Sequence, residues 1–363
     1  MISIFKNFIQ ENLSIIKIWI IYSLIINSLP FVIYFLGFSK VIDFTFKNYF
    51  FSIWGYLWDA EHYLSISQNG YKFPQQAFFP GYPVILKIIS SIFSTEVAVK
   101  LNSFLLLPTL IQLKKLMLKM NLESKLINMS LIGFLCLPTA FFLQANYTET
   151  IYILISAWGL NNLMSSNYYK AILAGFFLSF IRISSVLYSS ILFKKIYFDK
   201  KLSNGLKTKL LTILPTTFFG ILLYFYYLHI QFNDAGLFFS AQKLWGRVGF
   251  YSFLQFIGPV NNINVFSKFS EVITLIIGSI LFIKTYKKIN TDLYLFSLFH
   301  FLLPILTGSL LSLNRLFLYS YPVILFSMAK FSNNRKYFIL CCIFMVILQI
   351  ISIGLFMNEF FIG

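Results

Sequence analysis

Residues 58–83 read WDAEHYLSISQNGYKFPQQAFFPGYP, from Trp58 to Pro83. This is the longest polar, motif-like interval in an otherwise apolar chain. It sets Asp59, Glu61 and His62 side by side just after a hydrophobic span, then supplies two aromatic-proline turns, Phe79-Pro80 and Tyr82-Pro83. A loop that only joined two membrane helices would not need this density of acidic, aromatic and proline residues. The stretch reads as a functional loop at a membrane surface, with Asp59 as its catalytic carboxylate.

Composition supports that setting. Of 363 residues, 58% are hydrophobic and 20% aromatic, only 11% are charged, and the mean hydropathy is +0.77. A soluble domain carries about 25% charged residues, so the chain is expected to be an all-α polytopic membrane protein. Its formal charge of +17 fits Lys and Arg gathered in cytoplasmic loops and at headgroups. No soluble basic domain is present to bind nucleic acid. Cys136, Cys341 and Cys342 lie inside apolar runs and suggest neither a disulfide nor a metal framework.

A crossing helix takes about 20 apolar residues. The first run, Ile18 to Gly37, follows Lys6 and Lys17, has no small-residue cleavage site behind it, and reads as a retained helix. Those lysines place the N-terminus inside and the loop at about 39–96 outside. Within that loop, Val84 to Phe93 is too short to cross and is expected to lie along the interface. Further spans are expected at about Val97–Leu113, Leu126–Leu143 and Ile151–Met164, then Leu210–Leu228, Val265–Ile283, Leu293–Leu313, Leu316–Ala329 and Tyr337–Met357. A second outer loop covers about 229–262, and Asn314-Arg315 reads as a tight outer turn.

One segment conflicts with the charge rule. A single crossing by Ala171–Phe193 would carry Lys194, Lys195, Lys200, Lys201, Lys207 and Lys209 outside and set Arg182 near mid-bilayer, at several kcal/mol. A re-entrant pair broken near Arg182-Ile183-Ser184-Ser185 removes both problems, provided the broken backbone is buried in protein or lines a cavity. The expected total is about nine spans plus this pair, in one domain over residues 1–363.

The outer face then collects Asp59, Glu61, His62, Tyr147, Glu149, Gln242, Trp245, Arg247 and Arg315, with Arg182 approaching from below. Arginine suits a phosphate, tryptophan a sugar face and glutamine its hydroxyls. Asp59 and Glu61 would diverge on a helix. His229 and His300 lie far from His62, so no metal is expected, although Asp59 and Glu61 could hold a divalent ion. No Gly-rich phosphate loop, zinc spacing or Ser/His/Asp signature appears. Asn146-Tyr147-Thr148 matches a glycosylation sequon, a pattern short enough to arise by chance.

The key stretch resembles the PIG-V family, mannosyltransferases that add the second mannose to glycosylphosphatidylinositol precursors, together with their bacterial relatives. The matching pieces are Trp58-Asp59-Ala60-Glu61-His62-Tyr63, Asn69-Gly70-Tyr71 and Ala77-Phe78-Phe79-Pro80-Gly81-Tyr82-Pro83. Weaker agreement follows at Asn146–Glu149, Phe180–Arg182, Ala241–Arg247 and Arg315–Pro322. The resemblance implies the GT-C class of multi-helix glycosyltransferases, with short interfacial helices in the first outer loop and a polyprenyl-phosphate sugar, most often mannose, as donor. It implies Asp59 as the catalytic carboxylate and Glu61 and the outer-loop residues as shaping the site. A glycolipid or glycan acceptor, a lipid membrane and an extracytoplasmic active site follow, in a bacterial plasma membrane rather than the endoplasmic reticulum.

The chemistry is self-consistent. Transfer from a lipid phosphate needs one base for the acceptor hydroxyl. The leaving phosphate departs as an anion, so the second carboxylate of a glycoside hydrolase is not required. Two other readings stay open at this stage. One is a non-enzymatic flippase for lipid-linked saccharides, with Arg182 on its path. The other is a scaffold whose polar residues do not converge.

Overall fold

The computed structural model describes residues 2–38, 53–245, 247, 265–360 and 362, and among these it is helical with no strand. The helices in chain order are α1 (Ile2–Phe35), α2 (Asp59–Asn69), α3 (Gly81–Ile92), α4 (Thr95–Val99), α5 (Leu101–Lys119), α6 (Ser124–Leu135), α7 (Glu149–Met164), α8 (Tyr168–Ile181) and α9 (Ser185–Phe198). They continue with α10 (Asn204–Ile213), α11 (Phe219–Phe232), α12 (Leu237–Leu244), α13 (Val265–Thr285), α14 (Thr291–Leu306), α15 (Leu313–Leu316), α16 (Tyr321–Phe331) and α17 (Arg335–Met357). Residues 246 and 248–262 of the second outer loop, and residues 39–52 of the first, lie outside the described residues.

Five described segments are long and apolar enough to cross a membrane: Lys6–Phe35, Thr95–Lys119, Asn204–Phe232, Phe266–Thr285 and Arg335–Met357. Gly81–Ile92, Ser124–Leu135, Tyr168–Ile181 and Thr291–Leu306 are shorter apolar helices. The long outer ones expose Leu24, Ile343 and Phe344, as lipid-facing helices do. At the centre stands α7, which is apolar nearly all round and buries most of its length against α5 and α8.

Among the differences from the sequence reading, two spans and one turn have a clear local reason. Leu126–Leu143 is not one helix. It stops at Leu135, because Pro138 lacks an N–H and disfavours helix at Leu137, and resumes as a 3-10 turn over Ala140–Leu143. Pro215 likewise sits in a 3-10 turn, Leu214–Phe218, between α10 and α11. Asn314 and Arg315 are not an exposed turn: both are buried on α15. The chain turns inward there because Ser312 adopts a left-handed conformation (φ 68°) and the buried Glu271 carboxylate accepts its N–H at 2.9 Å.

The segment 168–198 folds as a hairpin. Helix α8 ends at Ile181, Arg182 is extended (φ −156°, ψ 148°), and α9 begins at Ser185. Tyr168 at the start of α8 donates a hydrogen bond to Asp199 just past the end of α9, and Tyr188 donates to Ala171 O at 3.0 Å. Both outer ends of the pair therefore meet at one end of the bundle. That end is rich in lysine: Lys194 and Lys195 pair with Asp292 at 2.7 and 3.6 Å, and Lys119 reaches Asn161 and Ser165 at the close of α7. Glu149 opens the same 16-residue α7, so about 24 Å separates the lysines from the acidic end.

Two glycines fix the tip of the hairpin. A Cβ on Gly81 would lie 2.6 Å from Phe180 O, and one on Gly220 would lie 2.6 Å from Phe180 N. The Phe180 backbone is thus gripped from α3 and α11, two residues before Arg182. Gly81→Ala is expected to force backbone apart and destabilise the protein by about 1–3 kcal/mol. Gly205→Ala, with open space around it, should be neutral or stabilising by up to about 1 kcal/mol. Thermal midpoints of the two variants in detergent check this; equal midpoints would show that the grip is slack.

Candidate active site

The site begins at a strained residue. Trp58 holds φ 58° and ψ −130° just before α2, a conformation that a bulky side chain avoids at a cost of order 1–3 kcal/mol. This turn launches α2 with Asp59 in its first turn. Helical spacing then sorts the motif. Asp59 and Tyr63, one turn apart, face a cavity, while Glu61 is exposed to the outside. His62 packs on Phe78 and Trp245, with ring centroids 5.0 and 5.5 Å away.

The turn that follows α2 is held through three consecutive carbonyls. Tyr224 donates to Gln76 O at 2.8 Å, Gln242 to Ala77 O at 3.2 Å, and Tyr71 to Phe78 O at 2.8 Å. These bonds aim Phe78 and Phe79 at the cavity. On the other side, Asn102 donates to Ala145 O and to Tyr147 O (2.7 Å). Asn146 takes Tyr82 OH at 2.8 Å, and its N–H bonds Trp54 O at 2.8 Å. The apparent sequon is therefore wholly buried and structural.

Four charged side chains from four elements join in one chain. Arg315 Nη1 on α15 meets Asp59 Oδ2 at 2.8 Å, and its Nε lies 3.3 Å from Glu149 Oε1 on α7. The same Glu149 oxygen is 3.5 Å from Arg182 Nη1 at the hairpin tip and accepts Tyr319 OH at 3.2 Å. Arg182 also donates to Thr148 Oγ1 (2.9 Å) and Tyr319 OH (2.8 Å). The Arg315 guanidinium lies over Tyr147, 5.0 Å from the ring centroid.

Arg247 stands apart. It donates to Thr307 Oγ1 at 2.9 Å and Leu311 O at 3.3 Å, and among the described residues it has no ion pair. Burial, then repulsion from Arg182 and Arg315, push its pKa down to about 10. Asp59 and Glu149 pair with Arg315 and Arg182, while Arg247, attracted by Asp59 and Glu271 but in no ion pair among the described residues, turns a guanidinium to the cavity. At an effective dielectric of 20 an anion 4 Å from such a guanidinium gains about 4 kcal/mol.

The cavity itself measures about 110 Å³ and is lined by Asp59, Arg182, Gln242, Trp245, Arg247 and Arg315, with Phe78 and Phe79. It shares Arg182, Gln242 and Arg247 with an apolar crevice of about 500 Å³ between Val186, Leu187, Leu303 and Phe239. Together they reach the size of small-molecule sites, about 300–1,000 Å³. Six of the ten residues singled out in the sequence line this cavity. His62 supports its aromatic wall, Tyr147 and Glu149 stand behind the arginines, and Glu61 faces away. Tyr63, Thr148, Thr307 and Tyr319 escaped the sequence reading. Tyr63 and Tyr319 had a signal, each lying about one helical turn after a charged residue of the site, Asp59 and Arg315. No group of three metal-ligating side chains forms among the described residues.

No curated protein and no solved structure matches the chain significantly. The family model Mannosyltransferase (PIG-V) matches residues 21–233, more than half of the chain and including Asp59, Glu149 and Arg182. Arg247 and Arg315 lie beyond the match, brought to the same cavity by the fold. The chain belongs to the PIG-V mannosyltransferase family and is a multi-pass membrane glycosyltransferase.

Proposed function

We propose that this enzyme moves mannose from a polyprenyl-phosphate donor to a hydroxyl of a glycolipid or glycan acceptor on the extracytoplasmic face, with Asp59 as general base. The observation that carries the reading is the junction of two surfaces at one point. The guanidiniums of Arg182 and Arg247 stand where the Asp59 cavity opens into the apolar crevice. A ligand with an anionic head and a long apolar tail fits that junction and little else does. The acceptor side fits the aromatic wall of Phe78 and Trp245, where the buried Trp245 indole N–H has no partner among the described residues.

In this reading Arg315 holds Asp59 through Oδ2, leaving Oδ1 to the acceptor. The acceptor oxygen attacks the anomeric carbon as its proton passes to Asp59. The bond from that carbon to the phosphate oxygen breaks, and its electron pair leaves with the polyprenyl phosphate. Arg182 and Arg247 receive the charge that develops there, in the manner of an oxyanion hole. One displacement inverts the anomeric centre. The guanidiniums do the work that a divalent ion does at other phosphate sites, so no metal is required. Lysines some 24 Å away at the opposite end of α7 support the orientation under the positive-inside rule.

Asp59→Asn keeps the shape and is expected to lower kcat by about 10²–10⁴-fold, with the fold retained. An in-membrane assay with polyprenyl-phosphate mannose and mass analysis of the product reads this; near-normal transfer would end the assignment. The crevice makes a separate claim. Leu187→Trp should raise the donor KM about tenfold or more for long-chain donors, by removing tail contacts of about 0.8 kcal/mol per methylene, and leave a short-chain, water-soluble donor nearly unaffected. Equal effects on both donors would place the tail elsewhere.

A further inference from the structure

At the lysine-rich end, α6 and α17 begin side by side but do not pack closely along their first turns. Between them runs a groove of about 660 Å³. One face of each helix lines it: Lys125, Met129 and Ile132 on α6, and Arg335, Ile339 and Ile343 on α17. The spacing is that of a single helical stripe. From Arg335 to Ile347 the groove runs about 18 Å, and both cations stand in the first turn of their helices, at the same end. Beyond Ile347, the last lining residue on α17, Gln349 ties α17 to the chain after α6 by donating to Leu137 O at 2.8 Å.

We propose that this groove binds an anionic phospholipid of the leaflet at the lysine-rich end, with its phosphate between Lys125 and Arg335 and an acyl chain along the stripe. Charge and shape agree on that occupant. Beyond the two cations, the lining is almost wholly apolar, as for an acyl chain. Asn128 adds an amide near the head end, and Lys330 and Lys336 flank Arg335; neither helix carries an acid, and Glu123 stands exposed just before α6. The chain has four arginines among its 29 basic residues. Three line the cavity described above, and the fourth is Arg335. Arginine is the side chain whose planar fork fits a phosphate. A second copy of the chain is a poor rival, because it brings 12 acids against 29 bases.

The test uses the full-length protein in nanodiscs of equimolar phosphatidylglycerol and phosphatidylcholine, with retained lipid counted by native mass spectrometry. The wild type should retain one phosphatidylglycerol in preference to phosphatidylcholine. Lys125→Gln with Arg335→Gln should weaken retention about 25-fold, about fivefold for each cation near the surface. Ile343→Trp, which fills the slot and keeps both cations, should weaken it as well. Equal retention of the two lipids by the wild type would overturn the proposal. So would wild-type retention by either variant, or a cross-link through Cys342 to a second copy. Should the double variant fail to fold, the wild-type lipid ratio and Ile343→Trp decide the question alone.

Discussion

The structure depends on one alternating line of charge: Asp59, Arg315, Glu149, Arg182. Each lies on a separate element, and α2, α7, α15 and the tip of the α8–α9 hairpin are joined by contacts of 2.8, 3.3 and 3.5 Å. Glu149 is completely buried and Arg315 nearly so. A single ion moved from water to such surroundings loses several kcal/mol. The groups are tolerable only as a set, each neutralising its neighbour, so the elements that carry them are held in a common register. This explains how a helix can break at Arg182. Its guanidinium is tied to Thr148, Tyr319 and Glu149, and the Phe180 backbone is clasped by two glycines.

The same line explains where the site has room for a ligand. Its carboxylates are both engaged, and Arg247, though attracted by Asp59 and Glu271, makes no ion pair among the described residues. A protein that only needed internal stability would have matched that charge or omitted it. Keeping a guanidinium buried beside two others raises the energy of the empty site and lowers that of an anion-bound one. The strained Trp58 next to Asp59 points the same way, since backbone outliers persist where the surroundings over-determine them.

Much of this was legible in the sequence, and the failures have a pattern. The stretch at Trp58–Pro83 announced itself by composition, and Arg182 by being a charge where the hydropathy allowed none. The hairpin followed from the lysines after Phe193. What could not be read was anything set by helix phase or by contacts between distant residues. Asp59 and Glu61 sit two apart, and only once α2 is known to begin at Asp59 does it follow that one turns in and the other out. Glu149 and Tyr147 were found as polar residues of the outer face, yet their place behind the arginines depends on α15, some 170 residues later. Asn314-Arg315 looked like a turn because polar residues between apolar runs usually are. It is drawn inward by Glu271, a carboxylate buried on a helix that reads as an ordinary span.

The basic excess is the clearest case of one composition serving two purposes. A charge of +17 reads in the sequence as a single topological signal, and for lysine that is sufficient. Most of the lysines are at least partly exposed, where an ammonium on a flexible stem stays hydrated beside headgroups. The arginines part from them. They are few and, Arg335 aside, they line the Asp59 cavity. An ammonium buried there would hold three donors around a point charge and would lose hydration that three bonds hardly replace. A guanidinium is weakly hydrated to begin with and can bond two partners in a plane at once, as Arg182 does with Thr148 and Tyr319. Lys100, buried and donating to Asn27 Oδ1 at 2.7 Å, shows that depth alone does not exclude lysine; the choice falls on arginine at the cavity, and there it marks the site more sharply than the total charge does.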